Sequence, residues 1–396
     1  AGWNVHNEAF LKESFVNLLR LKVSYGSTGS NTLSSWETRT TYLYSADNNF
    51  ITGVGARPKT MANEKLKASY TNELNLGIQL SLLSDRLQLD LSFYKKTTKD
   101  MLLPVAYPPS VGVIRLNSNL GEQENKGYDW SLSGAILQTR NLQWRVTLNG
   151  QHNRDKILKI SNSLKYKNDE NRQEHIDQDA LNRNIYKGIP PKIQFEEGES
   201  ASSIYVVPSL GIDPATGREV FLKKDGTQTF LYSASDEVIV GSSVPDVEGI
   251  VGMSFYYKKL SASFSFRYSL GKETMASALY DKVENITQDN IGRNQDKRAL
   301  YDRWKKPGDK AKFKAIDDYS STPMSSRFVV TENTFSGESI SIGYDMDAAW
   351  LRVAGIQGMN FRVYMNDIFR ISSFKEERGL DYPFARSVSF SLGVRF

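Results

Sequence analysis

The sequence predicts an all-β protein, a transmembrane antiparallel β-barrel with long loops gathered on one side. Three observations carry that expectation. Ten stretches alternate apolar and polar residues with a period of two, as strands with one apolar face do. The connections between them alternate between tight turns and long polar segments. The last stretch, 386–396, reads RSVSFSLGVRF: Val388, Phe390, Leu392, Val394 and Phe396 face one way, and Ser387, Ser389, Ser391, Gly393 and Arg395 the other. In a barrel the apolar face meets lipid and the polar face the lumen. A strand of a soluble sandwich can alternate in the same way, so the terminal stretch does not decide alone.

Composition sets bounds. The chain has 396 residues, enough for two ordinary domains or one large barrel piece. Hydrophobic residues make up 39% and mean hydropathy is −0.46, and no run of about 18 apolar residues exists to form a spanning helix. A barrel escapes that test because only alternate residues meet lipid. The 20 Tyr and 19 Phe suit interfacial girdles. With no Cys, disulfides, thiolate metal sites and Cys nucleophiles are excluded. The net charge of +5 is scattered rather than striped, which gives little support to nucleic-acid binding. The opening residues, AGWNVHNEAF, lack the charged and apolar regions of a signal peptide, so an envelope protein beginning this way is expected to be a mature product or a fragment.

In chain order, residues 1–15 read as mixed and polar. The first strand is Leu18 to Gly26, with Leu19, Leu21, Val23 and Tyr25 on one face. A polar segment reaches Ser69. Leu74, Leu76, Ile78, Leu80 and Leu82 then alternate with polar residues, Ser84–Arg86 turns the chain, and Leu87, Leu89, Leu91 and Phe93 return. Two amphipathic strands on a short turn make a hairpin. After a loop containing Pro108-Pro109, a second hairpin pairs Tyr128, Trp130, Leu132 and Ile136 with Trp144, Val146 and Leu148. Residues 155–246 form a large polar insertion with turn signals at Gly211–Gly217 and Lys224–Gly226. The third hairpin joins Val251–Tyr257 to Leu260–Tyr268 through Lys258-Lys259. Residues 271–334 are again long and polar, with helical character expected near Glu273–Trp304. Two more strands, Ser339–Met346 and Met359–Ile368, precede the last.

After the first strand the connections read long, short, long, short, long, short, long, medium, long. Short turns on one rim and long loops on the other is the outer-membrane barrel pattern, and a soluble sandwich has no reason to sort its connections so. With the terminal strand ending in the periplasm, every long loop lies outside, and residues 1–15 start on the periplasmic side.

Several segments resemble one family. Leu19–Gly29 (LRLKVSYGSTG), Asn75–Ile78 with Ser92–Leu102 (SFYKKTTKDML), Asn119–Gly127 (NLGEQENKG), Gly211–Gly226, Tyr301–Asp309 (YDRWKKPGD) and Tyr382-Pro383 before Arg386 are together similar to the SusC/RagA-like TonB-dependent transporters of Bacteroidetes outer membranes. The chain departs from the family at Glu64–Ser69, where a Trp is usual. The resemblance implies a 22-stranded barrel with an N-terminal plug and a TonB-binding segment. Residues 1–396 are therefore expected to be the C-terminal part of such a barrel, without plug or N-terminal strands, and 155–246 and 271–334 its large extracellular loop regions. Ten strands alone would leave two unpaired edges in lipid, where unsatisfied backbone is costly. The terminal Phe390, Leu392 and Phe396 resemble the signal by which outer-membrane barrels are recognised for assembly.

The resemblance also implies active import of oligosaccharide or oligopeptide, with a SusD-like lipoprotein lid outside and TonB displacing the plug. Lumen-facing candidates are Asn75, Gln79, Asp90, Arg145, Asn149, Gln151, Arg267, Arg362 and Asn366. They serve either as a wet wall bonded to a plug or as substrate contacts. Trp36, Tyr42, Tyr44 and Tyr107 lie in outer loops and could stack on sugar rings or pack within the loops. His175–Asp179 has too few ligands for a metal site, so no metal or cofactor is expected. The three His show no nucleophile setting, which argues against an enzyme. Asp213 and Asp225 read as turn-formers rather than calcium ligands. The competing reading is a barrel adhesin or barrel enzyme without energy coupling.

Overall fold

All ten alternating stretches are strands of one antiparallel sheet in the computed structural model, which describes residues 1–11, 15–30, 39–50, 53–63, 66–106, 115–119, 121–160, 165, 168–169, 172–173, 194–286, 292, 295–347, 351, 353, 355–375 and 386–396. The strands in chain order are β1 (Gly2–Asn4), β2 (Val16–Ser30), β3 (Thr41–Phe50), β4 (Gly53–Thr60), β5 (Ser69–Leu82), β6 (Leu87–Lys99), β7 (Leu102–Ala106), β8 (Arg115–Asn119), β9 (Gly121–Gln138), β10 (Leu142–Ile160), β11 (Ser203–Val206), β12 (Ser209–Ile212), β13 (Glu219–Leu222), β14 (Gln228–Thr229), β15 (Val238–Ser242), β16 (Val247–Tyr257), β17 (Leu260–Met275), β18 (Val329–Met346), β19 (Gly358–Ser372) and β20 (Val388–Arg395). The large sheet has 11 strands in the order β1-β2-β5-β6-β9-β10-β16-β17-β18-β19-β20. Neighbours in space follow one another along the chain, the up-and-down meander of a barrel wall. No helix of the described residues is long and apolar enough to cross a membrane; strands do the crossing.

The rims sort as expected. Residues 83–86, 139–141 and 258–259 are tight turns, and the end of β18 at Met346 and the start of β19 at Gly358 put the fourth connection on the same rim. The first turn uses three consecutive residues at positive φ, Leu83 (55°), Ser84 (56°) and Asp85 (64°), and Ser81 Oγ donates to Asp85 Oδ1 at 2.5 Å. Every long connection lies on the opposite rim.

Four details differ from the sequence reading. Residues 2–4 are not loop: β1 runs antiparallel beside the middle of β2, with Trp3 opposite Leu21. β9, β10, β17 and β18 reach further outward than their apolar alternation, to Gly121, Ile160, Met275 and Val329. The outer connections carry their own hairpins, β3–β4 and β7–β8. Among the described residues the helical character near Glu273–Trp304 consists of single turns at Ser277–Leu279, Tyr280–Glu284 and Lys297–Leu300, and Glu273–Met275 extends β17. Strand continues where one side meets loops and the other water, so no apolar stripe marks it.

The two largest connections fold against each other into one cap on the outer rim. Ser326 N donates to Val207 O at 3.0 Å, and Ser209 N to Ser326 Oγ at 2.8 Å. Trp304 Nε1 and Gly308 N both donate to Pro214 O, at 2.9 and 2.8 Å. Gly217 (φ 72°) lies flat on the Trp304 ring, where a Cβ would come within 2.6 Å. An apolar centre gathers Val283, Ile286, Ala299 and Phe313, beside Tyr280 packed edge-on to Phe328 at 5.2 Å. Between the two connections Arg327 Nη2 reaches Glu219 Oε2 at 2.9 Å and Glu284 Oε1 at 2.7 Å. Ser325 Oγ donates to Glu219 and Thr322 Oγ1 to Glu284. Burial would depress the Arg327 guanidinium, but the bond to Glu284 and the charges of both carboxylates outweigh it and hold its pKa above the ordinary value. Lys314 has less compensation: burial pushes its pKa down against the pull of Asp318 and Glu284.

Candidate functional site

The site follows from strand parity. Residues directly opposite on neighbouring strands share a face, so a lumenal residue on β2 selects its partners right across the wall. Ser24 pairs Asn75, Gly77 pairs Ser92, Gln79 pairs Asp90, Asp90 pairs Ser131, Ser131 pairs Asn149, Asn149 pairs Ile250 and Ile250 pairs Arg267. The polar face thus gathers amides, hydroxyls and carboxylates in adjacent rows, interrupted by Gly77 and Ile250. The opposite face carries Leu76, Phe93, Ile342, Phe361 and Phe390, all open to the surroundings, as a lipid-facing band requires. Gly150 and Gly249 sit on that apolar face beneath the rings of Trp130 and Tyr268, and Tyr268 Oη donates to Asn149 O at 2.9 Å.

Adjacent strands bond across the lumenal face. Gln79 Nε2 donates to Asp90 Oδ1 (2.8 Å), Ser92 Oγ to Asn75 Oδ1 (2.9 Å), Ser131 Oγ to Asn149 Oδ1 (2.7 Å) and Gln151 Nε2 to Glu248 Oε1 (2.5 Å). These residues surround a concavity of about 670 Å³ against the wall. Of the nine lumenal candidates it collects six: Asn75, Gln79, Asp90, Asn149, Gln151 and Arg267. Arg267 also borders a second hollow, with Asn366 and Arg370, and lies 3.4 Å from Glu338. Arg145 stands apart nearer the turn rim, donating to Ser133 Oγ at 3.0 Å. Arg362 is further round the wall, its stem over Gly343.

Lys22, Asp129 and Glu248 belong to the same concavity and were not singled out from the sequence. The signal was present, since Asp129 sits two residues from Ser131 on the polar side of β9. Its neighbour Gln151, however, is identified only by register. Among the described residues Asp129 makes no hydrogen bond or ion pair. The concavity offers three carboxylates, four amides and two cations: a surface for polyols, peptide amides or a polar protein segment, with no nucleophile–base pair for covalent chemistry. No group of three or more His, Asp or Glu among the described residues is arranged to hold a metal ion.

Of the outer-loop candidates, Tyr42 and Tyr44 project from β3 and are exposed. Trp36, Tyr107 and His175–Asp179 lie outside the described residues, as does the Tyr382-Pro383 part of the family resemblance. Phe390 and Leu392 lie on the apolar face of β20, Leu392 opposite Phe361 and Phe390 with its ring 6.5 Å from that of Phe361; Phe396 follows directly after β20 and is also exposed. Asp213 and Asp225 each accept bonds within their own turn, from Thr216 Oγ1 and Thr227 Oγ1 at 2.6 Å. Those bonds lower both carboxyl pKa values, as expected of turn-formers.

The wall matches known proteins along its whole length. It superposes on the structure titled RagAB peptide importer in the open-open state with a TM-score of 0.78, at 21% identity, over 100% of this chain and 42% of that one. Residues 10–195 match the family model described as TonB dependent receptor-like, beta-barrel. The fold is that of a TonB-dependent receptor barrel. Among relatives of this TonB-dependent receptor type, the receptor P39 of Formosa agariphila is 23% identical over 94% of the chain and 38% of its own length. SusC of Bacteroides thetaiotaomicron is 24% identical over 99% of the chain and 39% of its own length. The chain therefore spans about two fifths of these relatives. The SusC/RagA resemblance seen in the short motifs thus extends over the whole chain, which lies in the bacterial outer membrane. Its relatives are receptors and transporters, not enzymes.

Proposed function

We propose that this chain is the C-terminal part of a TonB-dependent importer, supplying barrel wall, outer loops and one side of a cargo path. The observation that carries the reading is the cross-strand row that runs from Arg20 through Gln79, Asp90, Ser131, Asn149 and Ile250 to Arg267, seven strands wide, with most of its members lining the concavity. Among the described residues the edges β1 and β20 have no further partner in the sheet, and in lipid such edges demand one. The remaining strands and a plug complete the barrel. A SusD-like surface lipoprotein covers the outer rim, and TonB supplies the energy from the inner membrane.

The cargo is oligosaccharide or oligopeptide. Amides alternating with carboxylates suit hydroxyl-rich or amide-rich chains better than apolar solutes. The exposed Tyr42 and Tyr44 add flat surfaces at the entrance. Extraction in mild detergent tests the assembly: a particle containing a plug-bearing barrel segment and a lipoprotein is expected, and a closed particle of this chain alone would overturn it. Uptake by cells lacking TonB tests the mechanism. Binding without uptake, unchanged by that loss, would mark an adhesin instead.

A further inference from the structure

The lipid-facing side of the wall carries a row of charge that acyl chains do not explain. Phe93, Tyr128 and His152 form a row across β6, β9 and β10, with ring centroids 6.1 and 5.2 Å apart. Aromatic rows of this kind sit at the membrane interface. The next outward-facing row, about 7 Å nearer the long-loop rim, is Lys95, Lys126 and Arg154, directly opposite one another on the same strands. Like charges placed opposite each other destabilise an antiparallel pair. One more step outward on β10, Lys156 stands across from Glu124.

Among the described residues two carboxylates answer these four cations, and incompletely. Glu124, its side chain only 10% exposed, is fixed between Lys95 Nζ at 2.9 Å and Lys126 Nζ at 2.5 Å. It spaces the two ammonium groups more than it cancels the row. Asp246 lies 3.9 Å from Arg154, but both side chains are largely exposed, where such pairs contribute little. Lys156 is exposed and has no ion-pair partner among the described residues. The result is a net positive ridge on the outer surface, one row above the aromatic interface and about 10 Å across three strands. A polar head anchored by acyl chains alongside the wall would meet it at that height.

We propose that Lys95, Lys126, Arg154 and Lys156 bind the phosphate-bearing headgroup of an outer-leaflet lipid. The assignment rests on the membrane placement of the wall and is independent of cargo. Basic clusters beside a bilayer attract anionic headgroups, and the effect falls off within a Debye length, so the height of the ridge matters. The guanidinium of Arg154 can grip two phosphate oxygens while the lysines contribute point charges.

The test uses the detergent-extracted full transporter, reconstituted with neutral phospholipid plus either a phosphorylated outer-membrane glycolipid or its enzymatically dephosphorylated form. Native mass spectrometry reads the retained lipid. Lys95 and Lys126 stay intact because Glu124 depends on them; the variant is R154Q/K156Q, both positions exposed, with unchanged thermal unfolding as the folding control. Retention of the phosphorylated lipid is expected to fall about thirtyfold, and R154K/K156R to restore it. Equal retention by wild type and variant overturns the proposal, and so does equal retention of the dephosphorylated lipid. Displacement by millimolar inorganic phosphate would reduce the ridge to a free-anion site and equally overturn the lipid assignment.

Discussion

Replacing Arg327 with methionine should loosen the cap while leaving the wall intact. Arg327 bridges Glu219 and Glu284, whose side chains are 7% and 0% exposed. Methionine fills similar space but strands two buried carboxylates facing each other. Removing one partner of a buried pair costs about 3–5 kcal/mol. The lower end applies, because Arg327 keeps 10% exposure and Ser325 and Thr322 still bond the carboxylates. About 3 kcal/mol corresponds to roughly a hundredfold increase in cap opening. Hydrogen exchange of peptides from β11–β13 and 279–286 reads that opening, with β5 and β6 as internal controls. Adding Glu219→Gln and Glu284→Gln removes the stranded charges and should recover most of the protection. Exchange within threefold of wild type in Arg327→Met, or a triple variant worse than the single one, would refute the argument that stranded charge is what opens the cap.

Alkaline pH should first tighten the cap and then loosen it. Lys314 has a depressed folded pKa, so below the ordinary lysine value of 10.5 the unfolded chain binds more protons and stability rises with pH towards it. Tyr280 acts oppositely: burial pushes its hydroxyl from 10.0 up to about 12, and its stabilisation, full below pH 10, is lost as pH rises through about 12. Exchange-detected cap stability should therefore pass through a maximum near pH 10, and Tyr280→Phe should reduce the alkaline fall, to which buried Tyr205 also contributes; a profile unchanged by that substitution would contradict the assignment. Gly217→Val should free Trp304, since the residue sits at φ 72° with the ring 2.6 Å from any Cβ. The penalty is about 1–3 kcal/mol, readable as a red shift and increased quenching of tryptophan emission; an unchanged spectrum would show that the turn is not held by that ring.

The wall was legible because lipid on one side and water on the other impose opposite demands on alternate residues. Leu74–Leu82 and Leu87–Phe93 show the pattern plainly. It fades where the membrane ends. His152–Lys159 continues β10 past the apolar band, and its polar residues fall on both faces. The same loss hid β1, the hairpins β3–β4 and β7–β8, and the start of β18 at Val329. Parity alone assigns the nine candidates to the polar face. Which of them converge was not readable: Gln151 meets Glu248 across 97 residues of sequence, through a register set only once the insertion between them has folded. Arg145 shows the limit, since it shares the face with Asn149 but turns to Ser133 beside a bulge between Trp144 and Arg145.

The fastening of Pro214 and Gly217 onto Trp304 constrains anyone who would redesign this surface. The two outer segments leave from different hairpins and look, along the chain, like separate modules open to grafting. They are not interchangeable singly. A transplanted 161–246 segment would arrive without the indole it rests on, and a transplanted 276–328 segment would carry Arg327 into a host lacking Glu219. Specificity swaps among such receptors should therefore move both segments together, and libraries that diversify one should hold Gly217, Glu219, Trp304 and Arg327 fixed.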